Sequence, residues 1–331
     1  MKLSAVLTNS KTKESWDIST VISEITFKTA LDGQPGTLIF TCVDVNQSNL
    51  FAEGSVIDIG IDGKGLFLGY LFKTETDSYN NVKVTAYDQM RYLKNKDFYI
   101  IDGGQTLNDV FTNCCNKFQL KSSVIAGSET IVSDKIHNDK TIYEIIQYAI
   151  DDVLVKTQKY YVVRDNYGTL ELVDMEKLVT DYVIGDSSAM SEYTHSRSID
   201  EACNVVKLIW GDKDAKTPKI TVADDEKNVE QWGILQHYEV VNEGMNEAQI
   251  TERANNLLFL LNRVEQTMKL TVVADETTYN SLLELRAGSG FRIRFNSALT
   301  GNVDQTVYVI SCDTSITDGV VSSSMEVSMP E

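Results

Sequence analysis

The stretch from residue 82 to residue 96, VKVTAYDQMRYLKNK, changes its period in mid-course. Val82, Val84 and Ala86 alternate with Lys83, Thr85 and Tyr87, which is the two-residue period of a half-buried strand. From Asp88 onward the spacing turns helical, with Met90 and Leu93 three apart. An aspartate at such a junction is either a catalyst or a cap. As a cap it would accept from the free N–H groups of Met90 and Arg91, and Arg91 stands within reach of a weak ion pair. The cap accounts for the residue without chemistry, so a structural role is expected for Asp88.

Before this junction the chain reads as β. VISEITFKTAL (21–31) places Val21, Ile25, Phe27 and Leu31 on one face. GTLIFTCV, GSVIDIGI and LFLGYLFKTETD follow, punctuated by Gly, Pro, Asn and Asp, as in a small barrel or sandwich. The run Leu66–Phe72 is apolar on both faces and therefore needs a cover on each side. Leu66, Phe67, Leu68, Tyr70, Leu71 and Phe72 are thus candidates for an interface with another domain or another subunit.

After the junction the character changes. QTLNDVFTNCCNKFQL (105–120) and TIYEIIQYAIDDVLVKT (141–157) carry helical stripes. The first opens on the cap pair Thr106 and Asp109, the second on a capping box of Thr141 and Glu144. YYVVRDNYGTLELVD (160–174) reads as a hairpin. Strands return after about residue 191, with an acidic polar excursion over 212–245 and one long helix over 248–265. Gly54-Ser55-Val56-Ile57-Asp58-Ile59 is echoed by Gly288-Ser289-Gly290-Phe291-Arg292-Ile293, and each is followed by a loop, a long strand and a final strand. The expected architecture is α+β and mainly β. Two similar small tube-type β-barrels, 1–92 and 191–331, flank an α/β module of two helices and a hairpin at 93–190.

Composition narrows the function. The chain has 331 residues, 42% of them apolar, with 30 Lys+Arg against 48 Asp+Glu and a net charge of −18. That is enough to bury two or three cores, and the charge argues against a grip on nucleic-acid backbone. The five cysteines are scattered without zinc spacing and read as free thiols. The N-terminal residues lack the apolar core of a signal peptide, and Leu66–Phe72 is too short to cross a membrane. A soluble protein made in the cytoplasm is expected.

The nucleophile elbow, the P-loop, the HExxH helix and the EF-hand loop are all absent, and with 48 acids available an acid–base pair stays open but discriminates nothing. His137, His195 and His237 sit in unrelated contexts and read as surface or loop residues. Asp224-Asp225-Glu226 reads as a solvated charge run, and Asp151-Asp152 as the wet face of a helix.

The segment VTAYDQMRYLKNK resembles the strand-to-helix junction of the XkdQ/YqbQ family of contractile phage-tail hub proteins. GLFLGYLFKTETD, TIYEIIQYAIDD, YYVVRDNYGTLELVD and EACNVVKLIWGD, in that order, extend the resemblance over most of the chain, most weakly over 212–245. It implies a structural baseplate hub of a phage or tail-like particle: a homotrimer whose six barrels form a ring between a hexameric tail tube above and a trimeric central spike below. Tape-measure and baseplate wedge proteins are further implied neighbours. The resemblance implies no cofactor, no enzymatic role, no nucleic-acid binding beyond passage of DNA through the lumen, and no membrane insertion. The excess of acids suggests a lumen lined with negative charge. Two other classes compete: a surface or carbohydrate-binding multi-barrel module, and a peptidoglycan-cleaving tail enzyme. Trp16, Trp210 and Trp232 lie in different regions and do not suggest a shared binding platform, and no nucleophile or metal constellation supports the enzyme.

Overall fold

The computed structural model describes residues 1–43, 50–185, 190–211, 218–241, 245–274 and 278–330. Alternation dictates the first strands: β1 (Leu3–Thr8), β2 (Ser15–Asp17), β3 (Ile22–Ala30), β4 (Thr37–Cys42), β5 (Val56–Ile61), β6 (Lys64–Thr76) and β7 (Val82–Tyr87). Leu38, Phe40 and Cys42 of β4 and Val82, Val84 and Ala86 of β7 are buried, while the intervening Thr, Ile, Lys and Tyr residues turn to the other face. A 3-10 helix (Gln89–Lys94) leads into β8 (Lys96–Ile101), α1 (Leu107–Lys117), β9 (Ser122–Ala126), β10 (Lys135–Thr141), α2 (Ile142–Thr157), β11 (Tyr161–Asp165), β12 (Leu170–Asp174) and a second 3-10 turn (Met175–Leu178). α1 and α2 pack together over a core of their own, built around Leu107, Phe111, Ile142, Ile146 and Ala149.

β13 (Val179–Gly185) and β14 (Met190–Ser198) follow. The described part of the expected polar excursion is ordered structure. β15 (Val205–Trp210), β16 (Lys219–Asp224) and β17 (Gln236–Val240) form a three-stranded sheet, with α3 (Glu226–Trp232) between the last two. Residues 212–217 and 242–244 of the excursion lie outside the described residues. The long helix α4 (Glu247–Leu261) covers one face of this sheet with Ile250, Ala254 and Leu257. It starts at the capping box of Asn246 and Gln249 and stops short of residue 265, where β18 (Glu265–Ala274) begins. α5 (Tyr279–Glu284), β19 (Gly290–Ser297), β20 (Gly301–Thr317) and β21 (Val320–Ser328) complete the chain.

The two β regions repeat one construction. Gly54 N–H donates to Leu71 O (2.7 Å) and Leu71 N–H to Ser55 O (2.8 Å); Gly288 N–H donates to Val309 O (2.8 Å) and Val309 N–H to Ser289 O (2.9 Å). Both glycines have positive φ, 76° and 87°, a conformation that a side chain would strain. A bulge after Leu71 matches one after Val309, and a bulge after Ile22 matches one after Met190. Even the bulge side chains agree: Ser23 Oγ donates to Thr41 O, and Ser191 Oγ to Thr271 O. The sheet β3-β4-β7-β6 therefore corresponds strand for strand to β14-β18-β21-β20.

These sheets are not separate closed barrels. β20 pairs antiparallel with β3 over seven residue pairs, Ser311↔Ala30 to Thr317↔Glu24, and fuses both copies into one 13-stranded sheet. Its main path runs β14-β18-β21-β20-β3-β4-β7-β6-β5-β1-β2, and among the described residues no ladder joins its ends. The physical reason lies in β6 and β20. Each is long enough to pair with an outer strand in its first half and an inner one in its second, and β3 occupies the edge of β20 that barrel closure would use. One apolar core runs through both copies.

Thr141 Oγ1 accepts from Glu144 N–H while a Glu144 carboxylate oxygen accepts from Thr141 N–H, at 3.1 and 2.8 Å. The exchange Thr141→Ala removes this closure of α2 and should lower unfolding free energy by about 1 kcal/mol in urea titration. An unchanged midpoint would show that packing alone fixes the helix start.

Candidate functional site

Asp88 is the cap of the 3-10 helix, and more. Its Oδ1 accepts from Met90 N–H (3.0 Å) and its Oδ2 from Gly36 N–H (2.9 Å), so one buried carboxylate ties the helix start to the entry of β4. Burial drives its pKa well above the usual carboxylate range, and the nearby Asp165 adds to that, against the backbone donors and Arg286. Asp165, in the module's hairpin, is pushed up to about 6 by burial, opposed by hydrogen bonding from the Gly168 and Gln89 backbone and by Arg286. Arg286, from the second copy, donates through Nη2 to Leu66 O (2.9 Å), with its guanidinium 5.3 Å from the Phe27 ring centre. First copy, module and second copy thus meet at one buried polar cluster. Asp88, Asp165 and Arg286 line a cavity of about 30 Å³, room for a water molecule. Asp165 Oδ2 has no protein hydrogen-bond partner among the described residues. Nothing in the sequence brought Asp165 or Arg286 to Asp88, since the three are joined only by tertiary structure.

The doubly apolar strand finds cover within the chain. Leu66, Phe67 and Leu71 belong to the shared core, where Phe67 packs edge-on against Phe27. Leu68 and Tyr70 are half-buried on the opposite face. Leu68 lies under Gly168 at the tip of the β11–β12 hairpin, and Tyr70 packs on Tyr92 of the 3-10 helix. Gly65 leaves space for the Tyr167 ring, whose hydroxyl donates to Asp58. Phe72 is 36% exposed, beside Tyr87 and Arg91.

Among the surfaces left uncovered in the described residues, three lie on the sheets. The first is the outer edge of β14, which among the described residues pairs only with β18. The second is the edge of β6 from Lys73 to Thr76, beyond the reach of β5. The third is the face of the small sheet away from α4, where Ile220, Val222, Tyr238 and Val240 are each more than half exposed. The open face of the large sheet is hydroxyl-rich: Thr26, Thr41, Thr85, Thr194, Ser196, Thr267, Thr271, Ser311, Ser315, Ser322 and Ser324 all lie on it. Its charges on the inner strands are Lys28, Lys73, Lys83 and Lys269 against Glu24, Glu75, Glu192, Glu265, Asp313 and Glu326, so this face carries little of the net −18. The expected concentration of acids does not lie there.

Of the other residues singled out, the acidic residues and histidines depart from expectation, while the free cysteines and the Thr106 cap agree with it. Asp152 is buried, not wet. It accepts from Ser133 N–H (2.8 Å) and Lys156 Nζ (2.6 Å) and faces Arg253 of α4, which also donates to Glu239. Asp225 caps α3 by accepting from Asn228 N–H (3.0 Å), so the acidic run ends in a structural bond. His137 is buried against Tyr148, and His195 is hydrogen-bonded to Ser297 and Gln266. His237 is half-buried on β17 beside Glu239. All five cysteines are free and four are buried, with burial pushing Cys42 and Cys114 to about 12. Thr106 accepts from Asp109 N–H at the start of α1. Among the described residues there is no grouping of His, Cys, Asp and Glu able to hold a metal, and no helix is long and apolar enough to cross a membrane.

Comparison with known proteins agrees with this architecture. A family described as YQBQ-like matches residues 25–328. The phage-like element PBSX protein XkdQ of Bacillus subtilis is 30% identical over 220 residues, and the aligned part spans 66% of each chain. The crystal structure of a tail protein from Neisseria meningitidis superposes with a TM-score of 0.73 at 11% identity, covering 99% of this chain and 97% of that one. An E. coli component of the type VI secretion system, described as structurally similar to the T4 bacteriophage tail proteins gp27 and gp5, superposes at 0.53 with 10% identity, covering 94% and 74%.

The raised pKa of Asp165 gives the buried cluster a pH signature. A carboxyl whose folded pKa lies above its unfolded value stabilises the fold below pH 4, and that contribution is lost as pH rises through about 6. Relative to an Asp165→Asn variant, the native chain should lose on the order of 1–3 kcal/mol of unfolding free energy between pH 4 and 7.5. A difference that stays flat over that range would mean that Asp165 titrates like an exposed carboxylate.

Proposed function

The chain belongs to the YQBQ-like family, and from that membership we propose that it is a structural baseplate hub of a phage tail or tail-like particle. Three chains assemble into a ring of six sheets, with a hexameric tail tube on one side and a trimeric central spike on the other. One observation carries the reading: each chain holds two copies of one four-stranded sheet, already joined edge to edge by β20 and β3. Two equivalent units per chain and three chains supply six seats above and three below, which is what an adaptor between sixfold and threefold partners requires. The segments 1–92, 93–190 and 191–331 are its working units, two ring-formers around a module that props the first.

The copies differ at their outer strands, since β1 runs antiparallel to β5 whereas β13 runs parallel to β19. Sixfold symmetry is therefore approximate and threefold symmetry is kept. The hydroxyl-rich face lines the lumen, where near balance of charge lets a polymer pass without adhering. The role is mechanical rather than enzymatic, and the mature protein resides in the baseplate.

Light scattering on the purified chain, alone and with tube and spike proteins encoded beside it, should find a species with a protein mass of three times 37.0 kDa, alone or on the spike. A chain that stays monomeric in every mixture overturns the hub.

A further inference from the structure

The correspondence between the two sheets fixes how one copy of the chain would meet the next. Inside the chain, the edge of β20 (Ser311–Thr317) pairs with β3. The equivalent of β20 is β6, and the equivalent of β3 is β14. These are the two edges of the inner sheets left open, and each is the counterpart of an edge that is already joined.

Resting on the hub reading, we propose that β6 of one copy pairs antiparallel with β14 of the next, in the register of the internal joint. Ser311↔Ala30, Cys312↔Thr29, Asp313↔Lys28 and Thr314↔Phe27 are the internal pairs. Transferred through the matched bulges, they become Lys73↔Ser198, Thr74↔Arg197, Glu75↔Ser196 and Thr76↔His195 between copies. The ladder ends at Thr76 because β6 turns back at Asp77, whereas β20 continues to Thr317. The interchain joint is thus shorter than the internal one.

Charge supports this register. Inside the chain, Thr29 Oγ1 accepts from Ala287 N–H (3.0 Å), in the loop before Gly288. Thr29 corresponds to Arg197 and Ala287 to Glu53, so the same geometry sets Arg197 of one copy beside Glu53 of the next. Both side chains are exposed, and neither has an ion-pair partner among the described residues. The composition of the edges also fits surfaces exposed before assembly. Where the internal joint has Ile25 and Phe27 facing Ile316 and Thr314, the open edges carry Tyr193 and His195, Ser78 and Thr76. Polar and charged edges do not pair indiscriminately.

The test is disulfide trapping in the full chain. Lys28↔Asp313 flanks the hydrogen-bonded pair Leu31↔Ile310 at an odd spacing, so it is a non-hydrogen-bonded pair, the kind that brings Cα atoms within about 4.5 Å. The corresponding positions, changed together as Glu75→Cys and Ser196→Cys, should yield covalently linked trimers on mild oxidation. Each single variant should stay unlinked, and the shifted pair Glu75→Cys with Thr194→Cys should link at least tenfold less. Separately, Arg197→Glu should weaken trimer formation roughly tenfold or more, and adding Glu53→Arg should restore it. Trimers of the correct mass that link only through the shifted pair, or not at all, would overturn this joint and leave the hub standing. Absence of trimers in the unmodified chain, both alone and mixed with the tube and spike proteins, would overturn both.

Discussion

Everything in this molecule depends on the ladder between β20 and β3. It takes two copies of the same sheet, separated by 102 residues of sequence (88–189), and makes them one surface over a single core. The ion pair Lys28–Asp313 crosses the ladder, but both side chains are nearly half exposed, so it contributes at most about 1 kcal/mol. The strength lies in the backbone bonds and in Ile25, Phe27 and Ile316, which carry the core across the joint without a break. A joint of this kind is permanent. Its equivalents at the open edges are polar, which suits contacts made only after the chain has folded.

The module between the copies serves the same geometry. It hangs from the Asp88 junction and returns through the hairpin, whose tip lies over β6. The Asp88, Asp165 and Arg286 cluster then fixes the angle between module and sheets, with each charged group drawn from a different segment. A buried cluster of this sort adds little net stability, because the cost of desolvation offsets much of the attraction, but it punishes any other arrangement. The second link is Arg253, which bridges Asp152 of α2 and Glu239 of β17 and so couples the small sheet to the module.

Much of this was legible in the residues. Alternation located the strands, capping pairs located α1 and α2, and the echo of Gly54-Ser55 in Gly288-Ser289 marked the duplication, because a positive φ and a backbone exchange fix those residue types. What escaped was long-range. The strands β16 and β17 were hidden because their exposed apolar face and acidic surroundings blur the alternation. Asp152 looked like a surface residue because its partners, Ser133 and Arg253, come from distant segments. The barrels looked closed because sequence shows that a strand has two edges but not which neighbour takes each one. For the same reason the cover of Leu68 and Tyr70 could not be assigned to the hairpin and the 3-10 helix in advance.

The central claim is that the internal joint between two like sheets is one instance of a contact that repeats around a ring. Electron cryo-microscopy of the purified assembly, viewed down its axis, tests it most directly. The account predicts a threefold particle with six similar sheets around one lumen, internal and interchain joints alternating, and the hydroxyl-rich face turned inward. A particle whose chains meet through other surfaces, with the edges of β6 and β14 facing solvent, would contradict it.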